Sequence, residues 1–176
     1  MKFYTVLFAF SLFSFPFLCN GQASNPNAHC ENKKFDKKVK QLLSFTIPVI
    51  DVDELKAEQD SVYIFDAREP EEYKTSHIKG AKYIGYNDFD PTRLGDLPKD
   101  AKIVVYCSVG YRSEKVGNKL KELGYENVQN LYGSLFEWVN RGYPVVDDNN
   151  KETNEVHTYN KKWSQWVDEN KAKKTW

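Results

Sequence analysis

Apolar and polar positions follow two kinds of pattern along the chain between residues 48 and 140. Short apolar runs rich in β-branched residues, such as Ile103 to Val105, are typical of buried parallel strands, and apolar residues spaced three or four apart indicate amphipathic helices. The pattern predicts strands over 48–52, 62–66, 81–84, 103–107 and 128–131, and helices over 53–58, 70–75, 113–123 and 135–140. Asp53 is predicted to cap the first of these helices. Strands that alternate with helices predict an α/β fold, a three-layer domain with a central parallel sheet of about five strands.

Amphipathic segments flank this core on both sides. Apolar residues at helical spacing predict a helix from Lys34 to Ser44, with Phe35, Val39, Leu42 and Leu43 on its apolar face. After a polar linker at 147–150, a second apolar stripe predicts a C-terminal amphipathic helix carrying Val156, Tyr159, Trp163, Trp166 and Val167. Such a helix either folds back onto the domain and its first helix, or docks on a membrane surface or a partner protein.

The first 23 residues have the pattern of a secretory signal peptide. Lys2 gives a positive start, residues 3–18 are almost wholly apolar, and small residues surround the expected cleavage after Ala23. We expect an exported protein, periplasmic or secreted. Cys19 offers a lipoprotein anchor as an alternative, which is less favoured because the bulky Leu18 precedes it.

Composition and charge limit the classes of function. The 25 basic and 25 acidic residues are mixed along the chain, and the formal net charge is +0. No field of one sign is available to attract nucleic acid, so nucleic-acid binding is not expected. An apolar fraction of 40% in 176 residues is enough for one domain with a sizeable core.

Cys107 stands where an apolar strand is predicted to turn into a helix. Backbone N–H groups at the start of a helix lack intrahelical partners and carry the positive end of the helix dipole. A thiolate or a persulfide held there would be stabilised without a metal ion. Cys107 is therefore predicted to be a nucleophile.

Several short motifs, in this order and spacing, resemble the rhodanese domain. They are Asp66 to Glu69 with Glu72 and Tyr73, His77 to Ala81, the loop from Cys107 to Ser113, Leu131 to Gly133, Trp138, and Gly142 to Val145. The resemblance covers about residues 45–147. It implies a rhodanese domain over 46–147. The flanking patterns place a signal peptide at 1–23, a leader with an amphipathic helix at 24–45, and a linker with a C-terminal amphipathic helix at 148–176. One departure is that the paired glycine after the last strand of the family is here Gly133 and Ser134.

The resemblance implies covalent sulfur transfer. Cys107 would take the outer sulfur of thiosulfate or a similar donor, and the resulting persulfide would pass it to a thiol or to cyanide. Four residues separate Cys107 from Arg112, whereas the related cysteine phosphatases have five, so phosphate ester hydrolysis is disfavoured. A persulfide carrier without turnover, or a binding module for a partner protein, remains an alternative.

The residues expected to bind the donor are those of the loop together with one upstream cation: Ser108, Val109, Gly110, Tyr111, Arg112, Ser113 and Arg68. Arg112 has two interpretations: it helps the thiolate electrostatically and holds the donor's oxyanion with its fork of N–H groups, or it is a structural tie to backbone carbonyls or to Glu69. Ser113 can also cap the following helix.

The remaining cysteine of the expected mature chain, Cys30, has two interpretations as well. It lies in a flexible leader and does little, or it pairs with Cys107 or resolves its sulfur adduct. The histidines and cysteines show no paired metal-ligand spacing, and no metal or cofactor is predicted.

Overall fold

The structure, a computed structural model, describes residues 25–176, so the expected signal peptide and Cys19 lie outside the described residues. Five helices, α1 to α5, comprise Lys33–Leu42, Val52–Glu58, Pro70–Thr75, Tyr111–Glu122 and Ser134–Asn140. Nine strands, β1 to β9, comprise Val49–Ile50, Tyr63–Asp66, Lys82–Tyr83, Lys102–Tyr106, Asn127–Leu131, Val145–Val146, Glu152–Thr153, Glu155–His157 and Lys173–Thr175. Within residues 25–176, no helix has the length and apolar character needed to cross a membrane.

A five-stranded parallel sheet forms the centre of the fold, as predicted. Its strand order is β1-β5-β4-β2-β3, so β4 lies in the middle, with β2 and β5 on either side. Asp66 pairs with Tyr106, and Val105 pairs with Asn130. The carboxyl ends of these three strands therefore meet at one edge of the sheet, where ligands of parallel α/β proteins gather.

Both faces of the sheet are covered. Successive side chains of β4 point to opposite faces, so they pack into two different parts of the core. Ile103 and Val105 pack into the core beneath α4, whereas Val104 and Tyr106 pack into the core beneath α1, α2 and α5. All four side chains are fully buried. Burial on both faces explains why this strand reads as a continuous apolar run.

The helix starts differ from the sequence prediction at two caps. Ser113 does not cap α4, because it lies in the first turn of that helix, whose cap is Gly110, and its hydroxyl donates to the Gly110 carbonyl at 3.1 Å. Asp51, rather than Asp53, caps α2, because the Asp51 carboxylate accepts a 2.9 Å hydrogen bond from the Asp53 backbone N–H. The predicted helix over 34–44 is α1, which is capped by Asn32 and ends at Leu42. Its apolar residues Phe35 and Val39 are fully buried in the domain core.

The prediction of a C-terminal amphipathic helix was wrong. Residues 152–157 form β7 and β8, β8 pairs with β9, and Ser164–Trp166 is a single 3-10 turn. Tyr159 has a left-handed backbone with φ 66°, which interrupts any helix there. Most of the apolar stripe nevertheless packs onto the domain: Val156 and Val167 are in the core, and the Trp166 ring stacks on Phe35 at 5.5 Å. Val156, Val167 and Trp166 are therefore not free to dock elsewhere, whereas Tyr159 is 54% exposed.

Candidate active site

Cys107 follows β4 directly and begins a tight loop that ends where α4 starts. Its side chain is only 1% exposed. Gly110 has φ 110°, a conformation that residues with a Cβ rarely adopt, and its backbone N–H donates to the Cys107 Sγ at 3.2 Å. The loop therefore curls around the sulfur and directs main-chain donors at it.

Neighbouring elements hold the loop in this shape. The first N–H groups of α5, from Leu135 and Phe136, donate to the carbonyls of Cys107 and Ser108, both at 3.1 Å. The Asn130 side chain at the end of β5 donates to the Gly110 carbonyl at 2.9 Å. Because these donors bind the carbonyls of the loop, the N–H groups of the loop are left to face the sulfur.

Ser134 occupies the position where the resemblance leads us to expect a second glycine. The turn keeps the glycine-like shape, since Gly133 has φ 69° and Ser134 has φ 54°. The Ser134 hydroxyl accepts from the Cys107 N–H at 3.2 Å and donates to the Leu131 carbonyl at 3.1 Å. The departure from the family pattern thus adds a bond that ties the backbone of Cys107 to the turn after β5.

The surroundings of Cys107 favour its thiolate. Burial alone would raise the pKa of this thiol, but the positive charge of Arg112, the Ser113 hydroxyl and the backbone N–H groups of Ser113 and Val109 outweigh it. The pKa of Cys107 therefore lies below its ordinary value. A thiolate is the nucleophilic form of cysteine.

Arg112 is a structural tie, but its main partner is a carboxylate that the sequence did not predict for it. Its guanidinium holds Glu72 through two bonds, from Nη1 at 2.6 Å and from Nη2 at 2.8 Å, and Nη2 also donates to the Ser108 hydroxyl at 3.0 Å. Glu69, the carboxylate expected to pair with it, is farther away at 3.8 Å. Arg112 is thus a structural tie, and its charge also lowers the pKa of Cys107.

Glu72 is a buried carboxylate that the sequence did not single out as a site residue. It is 1% exposed, and its oxygens also accept from the Ser108 hydroxyl and the Glu69 backbone N–H, both at 3.0 Å. Burial would raise its pKa, but the bonds from Arg112 dominate and lower the pKa of Glu72 to about 2. The carboxylate is therefore charged whenever the protein is folded near neutral pH.

Arg68, predicted to draw an anionic donor into the site, lies elsewhere. It is fully buried, its Nη2 and Nε bond the Asp66 carboxylate at 2.7 and 3.0 Å, and it also donates to the Ser76 carbonyl. Of the three nitrogens of its guanidinium, only Nη1 has no hydrogen-bond partner within residues 25–176. A guanidinium committed to a buried ion pair does not reach a donor, so this prediction is corrected to a structural role.

A cavity of about 440 Å³ opens over the loop. Four of the predicted binding residues line it beside Cys107, namely Ser108, Val109, Tyr111 and Arg112. Gly110 and Ser113 do not line the cavity, and the Ser113 Oγ is 2.7 Å from the Asn130 side-chain oxygen. The other lining residues were not predicted: Leu42, Glu69, Tyr86, Asn87, Tyr159 and Trp163.

Cys30 is neither flexible nor paired with Cys107. It is 3% exposed, both cysteines are free thiols, and the Cys30 sulfur packs against the Gly133 turn. Burial and the nearby carboxylates of Glu137 and Asp36 raise its pKa. Cys30 is thus a poor nucleophile, in contrast to Cys107.

Comparison with known proteins agrees with this geometry. The chain matches the rhodanese-like domain family over residues 51–141. It is 33% identical over 90 residues to a sulfurtransferase from Allochromatium vinosum, an alignment that covers 51% of this chain and 83% of that protein. It is 30% identical over 99 residues to a putative sulfur carrier protein from Bacillus subtilis, covering 54% of this chain and 53% of that protein.

Among solved structures, the rhodanese-like domain of an Anabaena sp. protein superposes with a TM-score of 0.53 at 28% identity. That superposition covers 57% of this chain and 79% of the Anabaena chain. Sheet order, loop and sequence match all agree, and the chain belongs to the rhodanese-like domain family, in which its relatives include sulfurtransferases.

Proposed function

We propose that this protein transfers sulfane sulfur through a persulfide on Cys107. The observation that carries the proposal is the buried Cys107 sulfur, held by the Gly110 N–H at 3.2 Å in a loop that lowers its pKa. The thiolate attacks the outer sulfur of the donor, and the donor's S–S bond breaks with its electron pair leaving on the departing group. The sulfur then passes from Cys107 to an acceptor, which regenerates the thiolate.

Thiosulfate is the donor implied by the resemblance, with sulfite leaving, and a thiol or cyanide is the acceptor. The loop amides suit the persulfide as well as the thiolate, because both are anions at the same point of the loop. No step needs an external oxidant or reductant, since the sulfur atom is transferred with its oxidation state unchanged overall.

Mass spectrometry after treatment with a sulfane donor tests the proposal directly. The Cys107 peptide of the wild-type protein should gain one sulfur atom, roughly 32 Da, and lose it on addition of cyanide with release of thiocyanate. Cys30→Ser is a matched control because it removes the other buried thiol, and it should still gain the mass. Cys107→Ser should gain nothing. Turnover in a folded Cys107→Ser protein would refute the assignment.

A persulfide carrier that delivers sulfur to a partner protein is a second candidate. It is supported by the exposed rings of Tyr111 and Tyr159, 44% and 54% exposed, which stand at the rim of the cavity. The two candidates differ in turnover: a carrier loads one sulfur per Cys107 and releases little thiocyanate, whereas a sulfurtransferase cycles many times.

We also propose export through the signal peptide over residues 1–23, as the apolar run at 3–18 indicates. N-terminal sequencing of the protein recovered after expression in a bacterial host tests this. A start at Ser24 in the periplasm agrees with the proposal, a lipid-modified Cys19 indicates the lipoprotein alternative, and a retained Met1 contradicts both.

A further inference from the structure

The wall of the active-site cavity is partly built by segments outside the region that matches the family. Leu42 comes from α1, and Tyr159 and Trp163 come from the chain after β8, whereas the family match covers residues 51–141. These segments complete the cavity over the Cys107 loop and add one aliphatic and two aromatic side chains to its wall. What they contribute to the site therefore comes from outside the region that matches the family.

The C-terminal segment is firmly fixed in this position. Asn140 of α5 donates to the Trp166 carbonyl at 2.8 Å and accepts from the Asp168 N–H at 2.9 Å. Lys38 of α1 places its ammonium 5.9 Å from the Trp163 ring centroid. These contacts hold the segment that carries Trp163, and its ring forms part of the cavity wall.

Tyr159 is placed beside the reacting groups at a cost in backbone strain. Its φ is 66°, which is uncommon for a tyrosine, and its N–H donates to the His157 Nδ1 at 3.1 Å. The ring lies 5.4 Å from the guanidinium carbon of Arg112. Strain of this kind persists where the surrounding structure fixes the residue, and it is concentrated at ligand sites.

The charges in the cavity do not suit a dianionic donor. Arg112 is the only cationic side chain among the lining residues within 25–176, and both of its terminal nitrogens are bound to Glu72. Glu69 adds a carboxylate to the lining, and the Cys107 thiolate adds another negative charge. A donor with two negative charges would therefore meet repulsion without a free cation to bind it.

We propose that the cavity selects donors in which the sulfane sulfur is attached to an apolar, preferably aromatic, group and which carry at most one negative charge, with Tyr159 and Trp163 as the specificity-determining residues. This inference rests on the proposed function of Cys107. With an aryl thiosulfonate, the thiolate attacks the terminal sulfur, the S–S bond breaks, and the arylsulfinate leaves with the electron pair. Cys107 retains the sulfur as its persulfide, so atoms and charges balance.

A series of three donors separates charge from apolar contact. Thiosulfate is a dianion, methanethiosulfonate is a monoanion with a small group, and benzenethiosulfonate is a monoanion with an aromatic ring. With cyanide as acceptor, kcat/KM should rise from the first to the second, and by about ten-fold or more from the second to the third, because the ring packs on aromatic walls. Equal values for the two thiosulfonates, or thiosulfate as the best donor, would overturn the inference.

Substitutions then assign the effect to the C-terminal segment. Tyr159→Ala and Trp163→Ala should reduce the preference for benzenethiosulfonate over methanethiosulfonate towards one. Tyr63→Ala and Trp176→Ala are matched controls, since both rings are exposed, at 45% and 60%, and lie outside the cavity. If Trp163→Ala does not fold, the exposed Tyr159 decides the test alone.

The outcomes distinguish this inference from the function on which it rests. A preference that survives both substitutions in folded protein overturns the role of Tyr159 and Trp163. Turnover of all three donors at one rate overturns the selectivity but leaves the persulfide mechanism standing. If none of the donors adds a sulfur atom to Cys107, the proposed function and the inference both fail.

Discussion

Replacing Glu72 with glutamine tests the electrostatics of the site most directly. The substitution keeps the shape of the side chain but removes the charge that binds Arg112 at 2.6 and 2.8 Å. The pKa of Glu72 falls from 4.5 to about 2 on folding, which corresponds to about 3 kcal/mol of stability at neutral pH. Glu72→Gln should therefore lower the free energy of unfolding by about that amount.

The pH dependence gives the sign of the effect. Because folding depresses the pKa of Glu72, its contribution is complete above the unfolded value of 4.5 and is lost as the pH falls towards 2. The difference between wild type and Glu72→Gln in urea unfolding should be about 3 kcal/mol at pH 7 and only about 1 kcal/mol at pH 3. Glu71→Gln is the matched control, since Glu71 is exposed on the same helix, and it should change stability little.

The same variant changes the site. Arg112 freed from its carboxylate leaves more positive charge beside Cys107, so the pKa of the Cys107 thiol should fall further and kcat/KM for thiosulfate should rise several-fold. A Glu72→Gln protein as stable as Glu71→Gln at pH 7 would refute the reasoning on stability. Unchanged use of thiosulfate in a folded variant would refute the claim that Glu72 neutralises Arg112.

Three further predictions concern the loop and the core beneath it. Because the pKa of Cys107 is lowered, the rate of persulfide formation should stay high below pH 9.0, the ordinary pKa of the thiol. Stopped-flow measurements across that pH range check this. A rate that falls with pH as it does for a free thiol contradicts the prediction. Gly110→Ala should abolish turnover, because Gly110 has φ 110° and a Cβ there would lie 3.2 Å from the side chain of Leu43. Gly124→Ala is the control: Gly124 has φ 89° but is remote from the site, so the substitution should lower stability and leave kcat unchanged. Arg68→Met leaves a buried carboxylate unpaired and should cost about 3–5 kcal/mol in urea unfolding, whereas the partly exposed Arg93→Met should cost far less.

Much of the fold was predicted from the sequence, because local patterns determined it. The β-branched run ending at Tyr106 can only be a strand buried on both faces, and Pro70 at the first position of α3 marks the helix start. The position of Cys107 between a strand and a helix followed from the same patterns. Spacing alone failed for the tail, where residues at helical intervals form β8, a left-handed Tyr159 and a 3-10 turn.

The order of residues along the chain was enough to predict the place of Cys107 between a strand and a helix, because a strand-to-helix turn depends on neighbouring residues. The partner of Arg112, the burial of Arg68, and the entry of Tyr159 and Trp163 into the cavity depend on the folded chain. Glu69 precedes α3 as its cap and Glu72 lies in its first turn, and the directions of their side chains determine which of them meets the guanidinium. Contacts between segments distant in the chain depend on packing, which no local pattern records.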